Sequence, residues 1–417
     1  MPKFVVKGGK SLKGTVKVNG SKNAALPIMC AALLTKEKST LLNVPDIADI
    51  RSMMKILEGF GVKTKFGKNT LEIDPKNLRF TNPQNDLICK MRASILLLGP
   101  LLANFGKAQM AFPGGCVLGK RSVSAHTDSL KNLGCKITDE TNGLSIEVKK
   151  LKGSKIIMPE LSVTATENIL MAAAKAEGKT TVSLAAAEPH VQDLCRFLNK
   201  IGAKIEGVGT NTLTIEGAQN LHGTTHEITG DYLEAGTFAI AAAATNGDVV
   251  IEGIETNQLD SLWQKLKEVG AEVELKENKV HIKGNKKLKA IKMLRTAVFP
   301  SFPTDLQAPF AVLLTQAEGE SKIFETLFEG RLNYISELER MGAKVELLNP
   351  HQALIKGPSK LKGLPIASYD IRAGAAMVIA ALVASGETEI SNINYLDRGY
   401  ESFDKRLKIL GAEIRRV

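Results

Sequence analysis

Two hydrophobic patterns alternate along the chain. In residues 260–269, apolar side chains fall at Leu262, Leu266 and Val269 between charged neighbours, the spacing of a helix with one buried face. Residues 24–34, 167–176, 235–245 and 373–385 are instead apolar and alanine-rich nearly all round, which predicts helices enclosed on every side. Strict alternation in residues 271–275 and 279–283, across a short turn, predicts a hairpin with one buried face.

These patterns recur. The phrases FGVKTKF, LGCKITD, IGAKIEG, VGAEVEL, MGAKVEL and LGAEIRR place glycines at 61, 134, 202, 270, 342 and 411, a spacing near 70. Each glycine ends an amphipathic helix, where a left-handed residue is needed, and each is followed by an alternating strand. The chain is therefore read as six repeats. Each repeat holds one buried helix, one half-exposed helix and about four strands, an α/β architecture with helices interior to sheets. Six repeats in 417 residues suggest two domains of three.

Composition narrows the function classes. Aromatic content of 5% with a single tryptophan argues against base-stacking platforms for single-stranded nucleic acid. The net charge of +11 is scattered rather than gathered into an arm, which fits small anionic ligands better than nucleic acid. The N-terminus has no secretory pattern, and apolar runs such as 93–103 fall short of the ~20 residues a membrane span needs. Five cysteines without disulfide or zinc spacing read as free thiols in a reducing cytoplasm. Cys30, Cys89 and Cys195 sit among apolar neighbours as core residues. Cys116 lies between a Gly-Gly pair and Lys120-Arg121, where packing does not account for it.

Four buried helices open on polar clusters: Ser21-Lys22-Asn23, Lys90-Met91-Arg92, Thr304-Asp305 and Asp370-Ile371-Arg372. Ser21, Asn23, Thr304 and Asp370 are good N-capping types, and for Asn23 or Thr304 alone capping is the favoured reading. Capping explains Lys22, Arg92 and Arg372 poorly, because cations are unfavourable beside the positive end of a helix. An anion held between such a cation and the free N–H groups accounts for both. His126 taken alone reads as a core or capping histidine, and His222 with His226 makes an improbable metal pair.

In order and spacing, Ser21-Lys22-Asn23, Lys90-Met91-Arg92-Ala93-Ser94, Pro113-Gly114-Gly115-Cys116, Phe302-Pro303-Thr304-Asp305-Leu306-Gln307 and Asp397-Arg398-Gly399-Tyr400-Glu401 resemble the UDP-N-acetylglucosamine enolpyruvyl transferase family. The Lys-Ser-x-Ser-x-Arg and Gly-Asn-Ala-Gly-Thr motifs of the related shikimate-phosphate enzymes are absent.

The resemblance implies a two-domain inside-out α/β barrel, one domain at 22–229 and the other at 1–21 with 230–417, with the site in the cleft between them. It implies transfer of the enolpyruvyl group of phosphoenolpyruvate to the 3-hydroxyl of UDP-N-acetylglucosamine, without metal or cofactor, at the start of peptidoglycan synthesis in a bacterial cytoplasm. The expected partners are those two substrates, not nucleic acid or membrane, for a monomer or weak homo-oligomer. By resemblance Lys22, Arg121 and Arg398, with Arg372, hold the phosphoenolpyruvate. Asp305 takes the hydroxyl proton, Asn23 orients the sugar, and Cys116 donates a proton, can carry the pyruvyl unit and is the target of fosfomycin. Arg92, Ser122, Val123, Ser124, Ser162, Val163, Thr304, Leu327 and Asp370 complete the substrate-binding set the family implies.

Four departures from the family pattern bear on the nucleotide end. Ser122 and Ser124 replace a proline and an acid, Glu160 replaces a lysine and Thr164 a glycine; a fifth, Gly330, replaces an asparagine. They keep open a different nucleotide or sugar acceptor. A basic nucleic-acid-binding protein and an inactive paralogue are the remaining alternatives, and neither requires Lys22, Cys116, Asp305 and Arg398 together.

Overall fold

The computed structural model describes residues 2–81, 88, 91–111, 123–140 and 143–417. Its described helices alternate between enclosed and amphipathic. They are α1 (Lys22–Ala31), α2 (Ala48–Gly59), α3 (Leu98–Phe105), α4 (Ser124–Lys131), α5 (Val163–Ala173), α6 (Pro189–Lys200), α7 (Tyr232–Ala244), α8 (Asp260–Glu268), α9 (Gln307–Leu314), α10 (Ile335–Arg340), α11 (Ile371–Val383) and α12 (Phe403–Ile409).

The six recurring glycines do what their sequence context predicts. Gly61, Gly134, Gly202, Gly270, Gly342 and Gly411 all take positive φ, between 84° and 112°. After each, the next N–H reaches back to a helical carbonyl, as in Ala271 to Leu266 at 2.9 Å and Ala343 to Leu338 at 2.9 Å. This double-bonded helix ending satisfies carbonyls that would otherwise be orphaned and turns the chain into the following strand.

In a complete repeat, a short edge strand leads through an enclosed helix to a parallel strand. An amphipathic helix and a hairpin follow and fill the rest of the sheet. Lys13–Lys17 pairs parallel with Asp248–Glu252, with residues 20–229 inserted between it and α7, and Lys279–Lys283 and Glu272–Lys276 complete that sheet. On Lys279–Lys283 the pattern is as predicted: Val280 and Ile282 are buried between exposed lysines. Each such burial contributes roughly 1.5–3 kcal/mol relative to exposure.

The chain divides into two compact units, one of residues up to Asn19 with Gly230–Val417, the other running from Gly20 to Thr229 among the described residues. Each has its own apolar core, with α7, α9 and α11 at the centre of the first and α1, α3 and α5 within the second. In the first unit the N-terminal strand Phe4–Lys7 lies between Glu387–Ser391 and Glu413–Arg416 and finishes the sixth sheet. In the second, Thr225–Glu227 pairs parallel with Ser39–Leu42 and finishes the first.

Among the described residues the chain passes from unit to unit at two glycines. Gly20 lies so close to the Asn43 carbonyl that a Cβ would stand 1.7 Å from its oxygen, and at Gly230 the Gly253 oxygen would be 1.9 Å away. Asp231 N–H donates to Asn19 in the first unit, and Ser21 N–H to Thr229 in the second, each at 2.8 Å. Flanking carboxylates fix these segments. In the first unit Glu234 accepts from Asn19 N–H at 2.8 Å and pairs with Arg406; in the second Asp193 accepts from Thr229 N–H at 3.1 Å and bonds buried His226.

Candidate functional site

In the first unit the candidate residues gather at the heads of α9 and α11. Thr304–Leu306 form a single 3-10 turn that runs into α9, and this turn presents Asp305, whose side chain is 24% exposed. Arg331 donates to Oδ1 at 2.7 Å and Arg372 approaches Oδ2 at 3.1 Å. Both guanidiniums are buried, so a water-accessible carboxylate is clamped between two largely desolvated cations. Burial disfavours the Arg372 charge, but Asp305 and Tyr400 outweigh this and hold its pKa above the ordinary value.

Asp370 caps α11, its Oδ1 accepting from Arg372 N–H at 2.7 Å and Ala373 N–H at 2.9 Å. That cap orients the first turn from which Arg372 reaches Asp305 and, at 3.2 Å, the Tyr400 hydroxyl. Tyr400 in turn bonds Thr237 at 2.9 Å, tying α7 to the same group. Arg398 ends the turn Ile393–Arg398, two residues before Tyr400, and is half-buried. Leu327 exposes 38% of its surface just beyond the strand Gly319–Phe324.

Capping therefore explains Asp370 but not its fellows. Ser21 precedes α1 without a side-chain cap and its hydroxyl is buried unbonded; Asn23 lies inside the helix, half-buried. The Thr304 hydroxyl donates to Glu325 at 2.8 Å instead of to its own turn.

In the second unit Lys22 opens α1 with its ammonium 3.5 Å from Asp49, which sits in the first turn of α2. The carboxylate supplies the counter-charge that a cation at a helix N-terminus requires. Arg92 opens the 3-10 turn Arg92–Leu97 and stands near enough to act on His126. His126 is buried on α4, with Nε2 3.0 Å from the Thr164 hydroxyl and Nδ1 3.0 Å from the Asn168 amide. Burial first, and the Arg92 charge second, push its pKa down to about 3. The ring is thus neutral, and it joins α4 to α5. Val123 and exposed Ser124 begin α4; half-buried Ser162 and Val163 begin α5. Glu160 is exposed just ahead of them.

Cys116, Arg121 and Ser122, and the core assignment of Cys89, lie outside the described residues. Cys30 and Cys195 are buried as read, with burial raising both thiols, Cys195 to about 12. Among the described residues no three His, Cys, Asp or Glu side chains gather to hold a metal ion, and no helix is long and apolar enough to cross a membrane.

Arg331 and Asp49 were not singled out from the sequence. Arg331 follows a Phe-Glu-Gly stretch noticed only for its glycine, and Asp49 lies 27 positions from Lys22. Each is a charged residue on the buried side of a segment that also carries exposed ones, and only that position could have marked it.

Residues 6–407 match the family model for EPSP synthase (3-phosphoshikimate 1-carboxyvinyltransferase). The chain is 45% identical to the UDP-N-acetylglucosamine 1-carboxyvinyltransferase of Halothermothrix orenii, covering 100% of both chains. It is 43% identical to the enzyme of that name from Methylacidiphilum infernorum, covering 100% of this chain and 99% of the relative. Among solved structures, the enolpyruvyl transferase NikO from Streptomyces tendae matches with a TM-score of 0.90 at 24% identity, over 100% of this chain and 99% of that one. EPSP synthase from Acinetobacter baumannii matches with a TM-score of 0.75 at 22% identity, over the full length of both. These two structural likenesses bear on the fold.

Proposed function

The chain belongs to the EPSP synthase family and, within it, to the UDP-N-acetylglucosamine 1-carboxyvinyltransferases, and on that premise we propose that it transfers the enolpyruvyl group of phosphoenolpyruvate to the 3-hydroxyl of UDP-N-acetylglucosamine. Inorganic phosphate leaves, and the enol ether enters peptidoglycan synthesis in the cytoplasm. The observation that carries this reading is end-to-end identity of 45% to a relative of that name.

The chemistry assigns work to each group. A proton added to the methylene carbon of phosphoenolpyruvate leaves positive character on the carbon bearing oxygen. The sugar oxygen bonds to that carbon as its own proton passes to a base. Loss of a methyl proton then re-forms the double bond and breaks the carbon–oxygen bond to phosphate. Cys116 is the proposed donor and Asp305 the proposed base.

Asp305 enters this role with both oxygens engaged by Arg331 and Arg372. Its carboxylate is thereby oriented in advance, and each oxygen keeps a further lone pair with which to accept the proton. Lys22, Arg121, Arg372 and Arg398 are proposed to strip and orient the phosphate and carboxylate of the donor. Asn23, Arg92, Ser122, Val123, Ser124, Ser162, Val163, Thr304, Leu327 and Asp370 are proposed to line the acceptor side.

A second acceptor class is favoured by one observation: Glu160, exposed ahead of α5, puts a negative charge where the family carries a positive one. Phosphate release measured with phosphoenolpyruvate and a panel of UDP-sugars tests both readings. Release with UDP-N-acetylglucosamine that Cys116→Ser abolishes is the expected result. Turnover confined to another nucleotide acceptor moves the assignment to the second class. No release with any acceptor sinks the enzyme reading.

A further inference from the structure

We propose that Glu325 is a positioning residue for the acceptor side of the reaction, a role that rests on the transferase reading above. Glu325 follows the strand Gly319–Phe324 and is 0% exposed. An enclosed carboxylate is costly unless its oxygens are hydrogen-bonded. Here both are. Oε1 accepts from the N–H of Leu327 at 2.9 Å and of Phe328 at 3.3 Å, and Oε2 accepts from the Thr304 hydroxyl at 2.8 Å.

The backbone beneath it is fixed as well. Glu325 N–H donates to the His351 carbonyl at 2.8 Å, and its own carbonyl lies 2.8 Å from His351 Nδ1. Thr326 is held to Thr296 by bonds of 3.1 and 2.7 Å.

What the carboxylate joins gives the inference its direction. One arm holds Thr304, whose neighbour in the same turn is Asp305. The other holds the Leu327–Phe328 backbone, and the Phe328 ring lies 5.2 Å from the Arg331 guanidinium, which donates to Asp305. The contacts close a ring: Glu325, Thr304, Asp305, Arg331, Phe328 and back to Glu325. Asp305 is braced through the chain on one side and through Arg331 on the other. Leu327 is set at a fixed separation from it.

A carboxylate suits this position because it offers acceptors on both oxygens; an amide would turn a donor toward one arm. A displacement of the base by an ångström can cost about 100-fold in rate, so a brace of this kind acts on turnover as well as on stability.

Steady-state phosphate release, with each substrate varied in turn, tests the proposal on Thr304→Val, Thr304→Ser and Glu325→Gln, alongside thermal unfolding. Thr304→Val keeps side-chain volume and removes one arm of the bracket, so it serves even where changes at Glu325 impair folding. We expect Thr304→Val and Glu325→Gln to lower kcat/KM for UDP-N-acetylglucosamine about 10- to 100-fold, with the KM for phosphoenolpyruvate unchanged. Thr304→Ser should recover most of the loss. Wild-type turnover in Thr304→Val and Glu325→Gln, or a KM for phosphoenolpyruvate raised as much as that for UDP-N-acetylglucosamine, overturns the positioning role and leaves the transferase reading standing. So does a Thr304→Ser variant as impaired as Thr304→Val. A wild-type chain that releases no phosphate removes the transferase reading, and this role with it.

Discussion

The Arg331 guanidinium donates to the Asp305 carboxylate at 2.7 Å across 26 residues of chain, from a position 6% exposed. Arg372 takes the second oxygen, so Arg331 is one half of a fork that fixes the plane of the carboxylate. Arg331→Lys keeps the charge but loses the planar fork. Phosphate release should fall about tenfold or more, while chemical unfolding shows a loss of no more than ~1.5–3 kcal/mol, the range for a hydrogen bond to a charged group. A variant with wild-type turnover would show that the orientation of Asp305 does not depend on this contact.

His126 gives stability a predictable pH dependence. Its folded pKa is pushed down to about 3 from an ordinary 6.5, by burial and then by Arg92. The unfolded chain therefore takes up a proton that the folded chain refuses. The contribution is complete above pH 6.5 and is lost as pH falls through the interval down to about 3. The slope is at most ~1.4 kcal/mol per pH unit. Urea unfolding at pH 7 and pH 5 measures it, and His126→Gln should flatten the difference. An unchanged difference would mean that the histidine is not what the fold keeps neutral.

Leu184 carries backbone strain that no partner explains. It takes φ of 58° and is 41% exposed, at the residue following the strand Lys179–Ser183. Asn43 and Asn392 follow the corresponding strands at 56° and 57°, and Gly253 does so at 84°. A left-handed leucine costs roughly 1–2 kcal/mol, which asparagine or glycine largely avoids. Leu184→Asn should raise stability by ~1 kcal/mol without altering turnover; a lower unfolding midpoint would refute the strain argument.

Glu160 offers a test of the nucleotide end. It is exposed, two residues before Ser162 at the head of α5. Reversing its charge should tighten UDP-N-acetylglucosamine binding by up to ~1 kcal/mol, about fivefold, the ceiling for an exposed ion pair. Calorimetric titration of Glu160→Lys reads this directly, and the gain should shrink in high salt. An unaltered affinity would remove Glu160 from the acceptor's surroundings.

Much of the architecture was legible because it rests on local rules. A glycine ending each amphipathic helix has to be left-handed, and Gly61, Gly134, Gly202, Gly270, Gly342 and Gly411 all are. The cap at Asp370 was equally local, its acceptor lying two and three residues from its donors. Contacts between distant segments could not be read in this way. Thr304 looked like a cap because its partner, Glu325, is 21 residues off and unremarkable in the sequence. Asp49 and Arg331 were hidden for the same reason, since pattern reports which face a side chain occupies and not what stands opposite. Thr164 stood out only as a departure from a glycine, and its bond to His126 shows what the added hydroxyl does.

The strand Phe4–Lys7 is made long before Glu387–Ser391 and Glu413–Arg416, so its place between them does not exist until that later chain has been synthesised. The unit that runs from Gly20 to Thr229 also waits, for Thr225–Glu227 to finish its first sheet, but that partner lies within its own span and it can settle while synthesis continues. The nascent chain thus holds that apolar ribbon in waiting through hundreds of residues of growth, and a product truncated before Glu387 lacks the partners that would cover it.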